Sequence, residues 1–385
     1  MKIHLFYISP VVLLWLSACQ TQERNTDGKT FEIPATYSSV FKWPNSLQVS
    51  EIIYLESTDS SLVSDIASLH RDSLGNVYIW DKEQHKVLLF NKKGTVLRIL
   101  HKKGEGLHGY TEIKDVQIDF DKGLLHILDY NRIKSYDLQS FAHAGTLEAP
   151  PLEKLNFPFN FVLLGDSQYF WTDNPTSPQV NFTNLYKAPF MHLSRVQAGK
   201  VQSFIPHLYG SLNEARRFTP SHRAGEYNIT PLPGSDALYA INKDSVYLKY
   251  RFPFAQHDTP EEVHRDMFEL QNRYFQNQYY KCLLPFFETS QHLYFSFIGE
   301  EGKKYELLFD KVAQKFLAVG KSKLPTPIII ASDAKYFYAY YSPEFIKYFL
   351  QEKGDAFRQS PIFRDLDEKR IAQDGNPIIF KFSLP

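Results

Sequence analysis

The chain has 385 residues but only two cysteines, Cys19 and Cys282. Two thiols cannot build a disulfide framework, so packing must hold the fold. Cys282 lies in the apolar stretch YYKCLLPFF and reads as a buried, inert thiol. Net charge is also missing: 43 basic residues face 43 acidic ones, with no run of like charge long enough to form a tail. That excludes the basic face of a nucleic-acid binder. Catalytic and metal patterns are absent too. There is no GxSxG elbow. His257 and His264 flank Glu261 and Glu262 without HExxH spacing, and His101, His108 and His126 are scattered. Asp115, Asp119 and Asp121 do not have the spacing of a calcium loop. Neither a metal nor a cofactor is expected. Gly104-x-Gly106-x-x-Gly109 fits a dinucleotide fingerprint by letter, but it leads into an Ile/Val strand with no helix start. The expected structure there is a glycine loop between units.

Aromatic residues are plentiful: 31 Phe, 24 Tyr and 4 Trp, with few Ala-rich helical runs. Side chains of this kind pack well on a pleated surface, and the expectation is an all-β fold.

The N-terminus MKIHLFYISPVVLLWLSAC has one basic residue, Lys2, an apolar run from Ile3 to Leu16, and then small residues. The run is short for a membrane span and reads as an export signal. Leu16-Ser17-Ala18-Cys19 resembles the lipobox of bacterial lipoproteins. The resemblance implies cleavage after residue 18 and acylation of Cys19, which would anchor the chain to a membrane. Residues 1–18 are thus expected as signal, 19–36 as a polar tether and 37–385 as the folded domain.

Two stretches repeat. Val77-Tyr78-Ile79-Trp80-Asp81 returns as Leu125-His126-Ile127-Leu128-Asp129, with Gly75 matched by Gly123. Each carries strand, turn, strand and hairpin signals, a four-stranded unit that cannot bury both faces alone and must stack on neighbours. In the first unit the strands are expected at Ile66–Leu69, Val77–Trp80, Lys86–Phe90 and Thr95–Leu100. Asp81 is expected to hold the turn that follows it. Weaker echoes begin near Phe161, Ile229, Cys282 and Pro327. A last strand at Asn376–Phe382 and an early one at Glu51–Leu55 would close the ring in one shared blade. The expected fold is a six-bladed β-propeller.

Two helices interrupt the pattern. Thr259-Pro260-Glu261-Glu262 is a helix start, with Val263, Met267, Leu270 and Tyr274 at helical spacing, so a helix is expected over 260–279. Ser342-Pro343 opens another over 343–353.

These features together resemble the six-bladed β-propeller lipoproteins of the Bacteroides group, relatives of NHL-repeat propellers. The stretches that carry the resemblance are residues 78–119, 126–138 and 375–384. Leu107, His108 and Gly109 depart from the family's GxGPGEY-like loop. No activity is implied by the resemblance.

Propellers bind ligands on loops at the channel mouth. Trp171 and Asp173 in WTDNPTSPQVNF are candidates. So are Arg216, Arg217, His222, Arg223 and Tyr227 in EARRFTPSHRAGEY, where clustered cationic groups would clamp an anionic sugar or carboxylate. A solvated insertion loop is the alternative for the second stretch. The functional expectation is a lipid-anchored binding or scaffold module of the cell envelope for a glycan, peptide or protein partner, with no nucleic acid. The alternative is a propeller enzyme, a sugar lyase or hydrolase acting through Arg216, His222 or Arg223.

Overall fold

A computed structural model of the chain describes residues 28–33, 42–44, 46–104, 106–148, 158–172, 191–206, 218–229, 237–253, 281–282, 286–298, 303–321, 327–371 and 375–384. Six small antiparallel sheets follow one another around a central channel. Blade 1 runs from the channel outward as Ile66–Arg71, Val77–Asp81, Lys86–Phe90 and Val96–Leu100. Blade 2 is Asp115–Asp119, Leu124–Asp129, Arg132–Asp137 and His143–Glu148. Blade 3 is Pro158–Leu164, Ser167–Thr172, Met191–Gln197 and Lys200–Pro206. Blade 4 is Phe218–Pro220, Tyr227–Ile229, Ala237–Ile241 and Val246–Arg251. Blade 5 is Phe287–Glu288, His292–Ile298, Lys304–Asp310 and Lys315–Lys321, with Lys281–Cys282 also paired to its second strand. Blade 6 is Ile328–Ser332, Phe337–Tyr341, Ile378–Ser383 and, outermost, Gln48–Tyr54 from the start of the chain.

The last blade closes the ring. Gln48 pairs with Ser383 and Tyr54 with Ile378, antiparallel. Buried Asn376 fastens the joint: its Oδ1 accepts from Val63 N at 2.7 Å, and its Nδ2 donates to Glu56 O and Ser61 O.

Six apolar clusters fill the six seams. Trp80, Val87, Val116 and Ile127 join blades 1 and 2. Leu128, Phe161 and Phe170 join blades 2 and 3. Trp171, Leu193, Phe218 and Ile241 join blades 3 and 4. Rings of Tyr250, Phe252, Phe286 and Phe295 join blades 4 and 5. Phe287, Tyr294, Phe337 and Phe380 join blades 5 and 6, and Ile53, Ile79, Phe90 and Ile379 join blades 6 and 1. Because middle strands face a neighbour on both sides, Val77–Asp81 and Lys86–Phe90 are buried at every position and read as continuous runs. In the outer strand Val96–Leu100 four of the five residues are at least partly exposed, and only Leu100 at its end is buried. Each large apolar side chain removed from water contributes about 1.5–3 kcal/mol.

The inner strands run in the same direction, and their free edges are satisfied by side chains of the neighbouring blade. Asp115 accepts from Phe161 N at 3.1 Å. Gln117 both accepts from Leu163 N and donates to Leu163 O. Thr219 donates to Phe286 O at 2.6 Å, and Ser332 Oγ accepts from Glu288 N. This is why the channel wall carries buried polar residues.

The repeated aspartates do more than hold the turn after them. Asp81 does accept from Gln84 N. It also reaches back to the amides of Ser64 and Asp65, as Asp129 does to Thr111 and Glu112. Each carboxylate therefore fixes the segment that leads into its own blade's inner strand.

The segment Lys29–Thr30 adds a parallel strand to the outer edge of blade 4. Ile33 is fully buried, and the Phe31 ring lies 4.4 Å from that of Phe309. This part of the expected tether is thus integral to the fold. Helix α1 (Pro343–Lys353) has the expected bounds, with Ser342 Oγ capping Phe345 N. Ile346 and Phe349 on its buried face join the blade 5–6 cluster. The helix expected over 260–279 lies outside the described residues. Among those described, no helix is long and apolar enough to cross a membrane. The glycine loop between blades 1 and 2 is closed by Gly104 N to Tyr110 O and Tyr110 N to Lys102 O, with no helix after it.

Candidate functional site

The channel has two mouths. At the upper mouth the inner strands begin, and at the lower mouth they end. A cavity of about 400 Å³ occupies the upper mouth, lined by Asp65, Trp80, Lys82, Glu112, Lys114, Phe159, Tyr294 and Lys304 among others. Its rim pairs opposite charges: Lys114 Nζ is 2.8 Å from Glu112, and Lys304 is 3.3 Å from the buried Glu306. Lys114 also stands 5.7 Å from the centre of the Phe159 ring. In the wall, Trp80 is 4% exposed, and its indole Nε1 has no acceptor among the described residues. Ser68, opposite it in the ladder, is fully buried with its hydroxyl likewise without a partner there. A buried donor left without an acceptor costs about 1–3 kcal/mol.

The lower mouth holds a second cavity of about 580 Å³, lined by Arg71, Phe120, His222, Lys335, Tyr336 and Lys381 among others. Behind His222 lies a buried ion network between blades 4 and 5. Glu288, fully buried, accepts from Lys249 at 2.6 Å, Lys311 at 2.9 Å, Asn228 and Ser221 at 3.0 Å, and Tyr250 at 3.1 Å. His222 Nδ1 is 3.1 Å from the same carboxylate. Burial alone would raise the Glu288 pKa. The hydrogen bond from His222 and the charges of Lys249 and Lys311 outweigh it and hold the group far below the usual carboxylate range. Burial likewise opposes ionisation of Glu226, and bonds from Lys249, Ser221 and Tyr247 outweigh it. Burial pulls Lys311 below its ordinary value, against the attraction of Glu288. Two carboxylates and two ammoniums cancel within the network. Lys249 donates to both carboxylates and to Ser221 Oγ.

The candidate residues named from the sequence fall apart in space. Trp171 is fully buried and packs edge-on against Phe218 at 6.5 Å, so it belongs to the blade 3–4 core. Asp173, Arg216 and Arg217 lie outside the described residues. His222 lines the lower cavity, and Arg223 beside it is 65% exposed, 3.8 Å from Glu226. The Tyr227 hydroxyl accepts from Gln117 Nε2 of blade 2 at 3.2 Å. The stretch EARRFTPSHRAGEY is not one insertion loop, because Phe218–Pro220 within it is the inner strand of blade 4. The sequence reading missed Trp80, Glu288, Lys249, Lys311 and the Lys335/Lys381 pair. Its one available signal was the set of charged residues inside otherwise apolar strands.

Six four-stranded blades around a polar channel, closed by strands from both ends of the chain, define a six-bladed β-propeller. Residues 38–383 match the domain of unknown function DUF4934, and the chain belongs to that family. Two solved structures share the fold. One is a Bacteroides fragilis protein described as exported, 15% identical, covering 92% of this chain and 99% of its own, with a TM-score of 0.70. The other is a member of the DUF4221 family from Bacteroides vulgatus, 9% identical, covering 88% and 97%, with a TM-score of 0.53. A comparison with curated proteins gave no match.

Proposed function

We propose that this chain is a lipid-anchored propeller of the bacterial cell envelope that binds a polar ligand, a glycan or a peptide, in the upper-mouth cavity. The exported description of the Bacteroides fragilis protein and the lipobox-like Leu16–Cys19 support the location. The observation that carries the binding reading is the cavity of about 400 Å³ at the upper mouth, whose wall sets the rings of Trp80, Phe159 and Tyr294 beside Asp65, Lys82, Glu112 and Lys114. Sugars and peptides both offer polar groups for the charged side chains, and Trp80, Phe159 and Tyr294 give the apolar contact that orients such a ligand. The balanced rim suits a neutral or zwitterionic molecule more than a strongly charged one.

The test is a thermal-shift and calorimetric screen of the mature chain against glycans and peptides, repeated with Trp80→Phe. A ligand of the folded state raises the melting temperature by mass action. Loss of part of the Trp80 ring from the cavity wall should weaken that ligand about tenfold. Affinity unchanged by Trp80→Phe would place the ligand elsewhere.

A further inference from the structure

The lower mouth carries cationic groups that its own structure does not use up. Glu226 and Glu288 are matched by Lys249 and Lys311, so His222 and Arg223 stand at the solvent side of an already neutral network. Glu51 is taken by Arg71 at 2.7 Å. Lys381 lies 4.0 Å from Glu51 and 4.0 Å from the centre of the Tyr336 ring. Lys335 stands 5.1 Å from the same ring, and it makes no ion pair among the described residues. Two carboxylates line the cavity and keep their charge, but among the described residues neither forms an ion pair with Lys335 or Lys381. Asp72 accepts from Leu74 N, Asn76 N and Asn76 Nδ2, and Asp333 accepts from Lys335 N, Tyr336 N and the Tyr338 hydroxyl. Phe120, 41% exposed, offers an apolar face in the same cavity.

We propose that the lower mouth is a second binding site, for an acidic saccharide whose carboxylate is held by Lys335 and Lys381 while a sugar face lies against Phe120. A carboxylate fits because the ammonium donors of Lys335 and Lys381 form short charge-assisted bonds to it. A sugar fits because the cavity, about 580 Å³, is far larger than a free inorganic anion and has an aromatic wall. The cavity lies at the other end of the channel from the upper-mouth cavity, with which it shares Thr219, Phe287 and Ile330, and Trp80 does not line it.

The experiment is calorimetric titration of the mature chain with uronic-acid trisaccharides, with neutral trisaccharides of the same size, and with inorganic phosphate, at low and high salt. At least one uronic-acid trisaccharide should bind, and more weakly at high salt. The neutral sugars should not bind at this site. Lys335→Ala/Lys381→Ala should weaken the acidic sugar about tenfold or more, whereas Trp80→Phe should leave it unchanged. Phosphate binding as tightly as the sugar would reduce the site to a general anion patch and overturn the saccharide assignment. Failure of every acidic sugar, or full affinity in the double lysine variant, would overturn the site itself. Loss of the acidic sugar in Trp80→Phe would show a single site at the upper mouth instead.

Discussion

Glu288→Gln tests the physics of the blade 4–5 seam. The substitution keeps the shape of the side chain and removes one negative charge. Two nearly buried ammoniums, Lys249 and Lys311, would then face one carboxylate, Glu226. Breaking a buried pair in this way costs about 3–5 kcal/mol. At about 2.1 cal/mol/K per residue, unfolding entropy for a 385-residue chain is about 0.8 kcal/mol/K. The melting temperature should therefore fall by about 4–6 °C at pH 7, read by calorimetry. Adding Lys311→Met removes the orphaned positive charge and should recover at least half of the loss, a coupling of about 1–3 kcal/mol. The pH profile gives a further check. Because the folded pKa of Glu288 is depressed, its stabilisation is complete above the ordinary glutamate value of about 4.5 and is lost only as pH falls through the folded value. Variant and parent should converge in acid. A melting point within about 1 °C of the parent at pH 7, or strict additivity in the double variant, would refute this view of the network.

Truncation at residue 37 removes Phe31 and Ile33 from the blade 4–5 seam and should cost about 2–5 kcal/mol in urea unfolding, while a chain starting at residue 28 keeps its stability. Equal midpoints would mean that the added parallel strand contributes nothing. Gly94→Ala should be severe, because Gly94 has φ +88° and a new Cβ would meet Tyr54 O on the closing strand. Gly123→Ala, at φ +65° with open space around it, should cost only about 1–2 kcal/mol. Equal costs at the two positions would contradict the close approach of blades 1 and 6.

Much of the fold was legible because a propeller repeats its physics. All four strands of blade 1 fall where alternating turn signals and apolar runs place them, and α1 follows from Ser342-Pro343. What was hidden has local causes. Phe218–Pro220 is a strand of three residues, too short to show a period, so its surroundings read as one loop. Lys29–Thr30 owes its conformation to the edge of blade 4 and not to its own polar sequence. Trp171 and Trp80 both end strands before polar loops, and nothing local says that one fills a seam while the other lines a cavity. Glu226, Lys249, Glu288 and Lys311 come from separate strands and turns, and only the stacking of two blades brings their charges together.

Both mouths exist only if the ring is closed by its first and last strands. The most direct measurement is a cross-link between Gln48→Cys and Ser383→Cys in a Cys282→Ala background, since these two positions pair in the closing blade. Paired strand residues stand about 4.5–5.5 Å apart at Cα, within disulfide range. A closed ring requires that the oxidised pair form readily in the folded protein and raise the melting temperature, because it ties off nearly the whole chain and constrains the unfolded state by up to about 5 kcal/mol. A pair that stays reduced under mild oxidation, or forms only between molecules, would show that the ends do not meet and that there is no enclosed channel to bind a ligand.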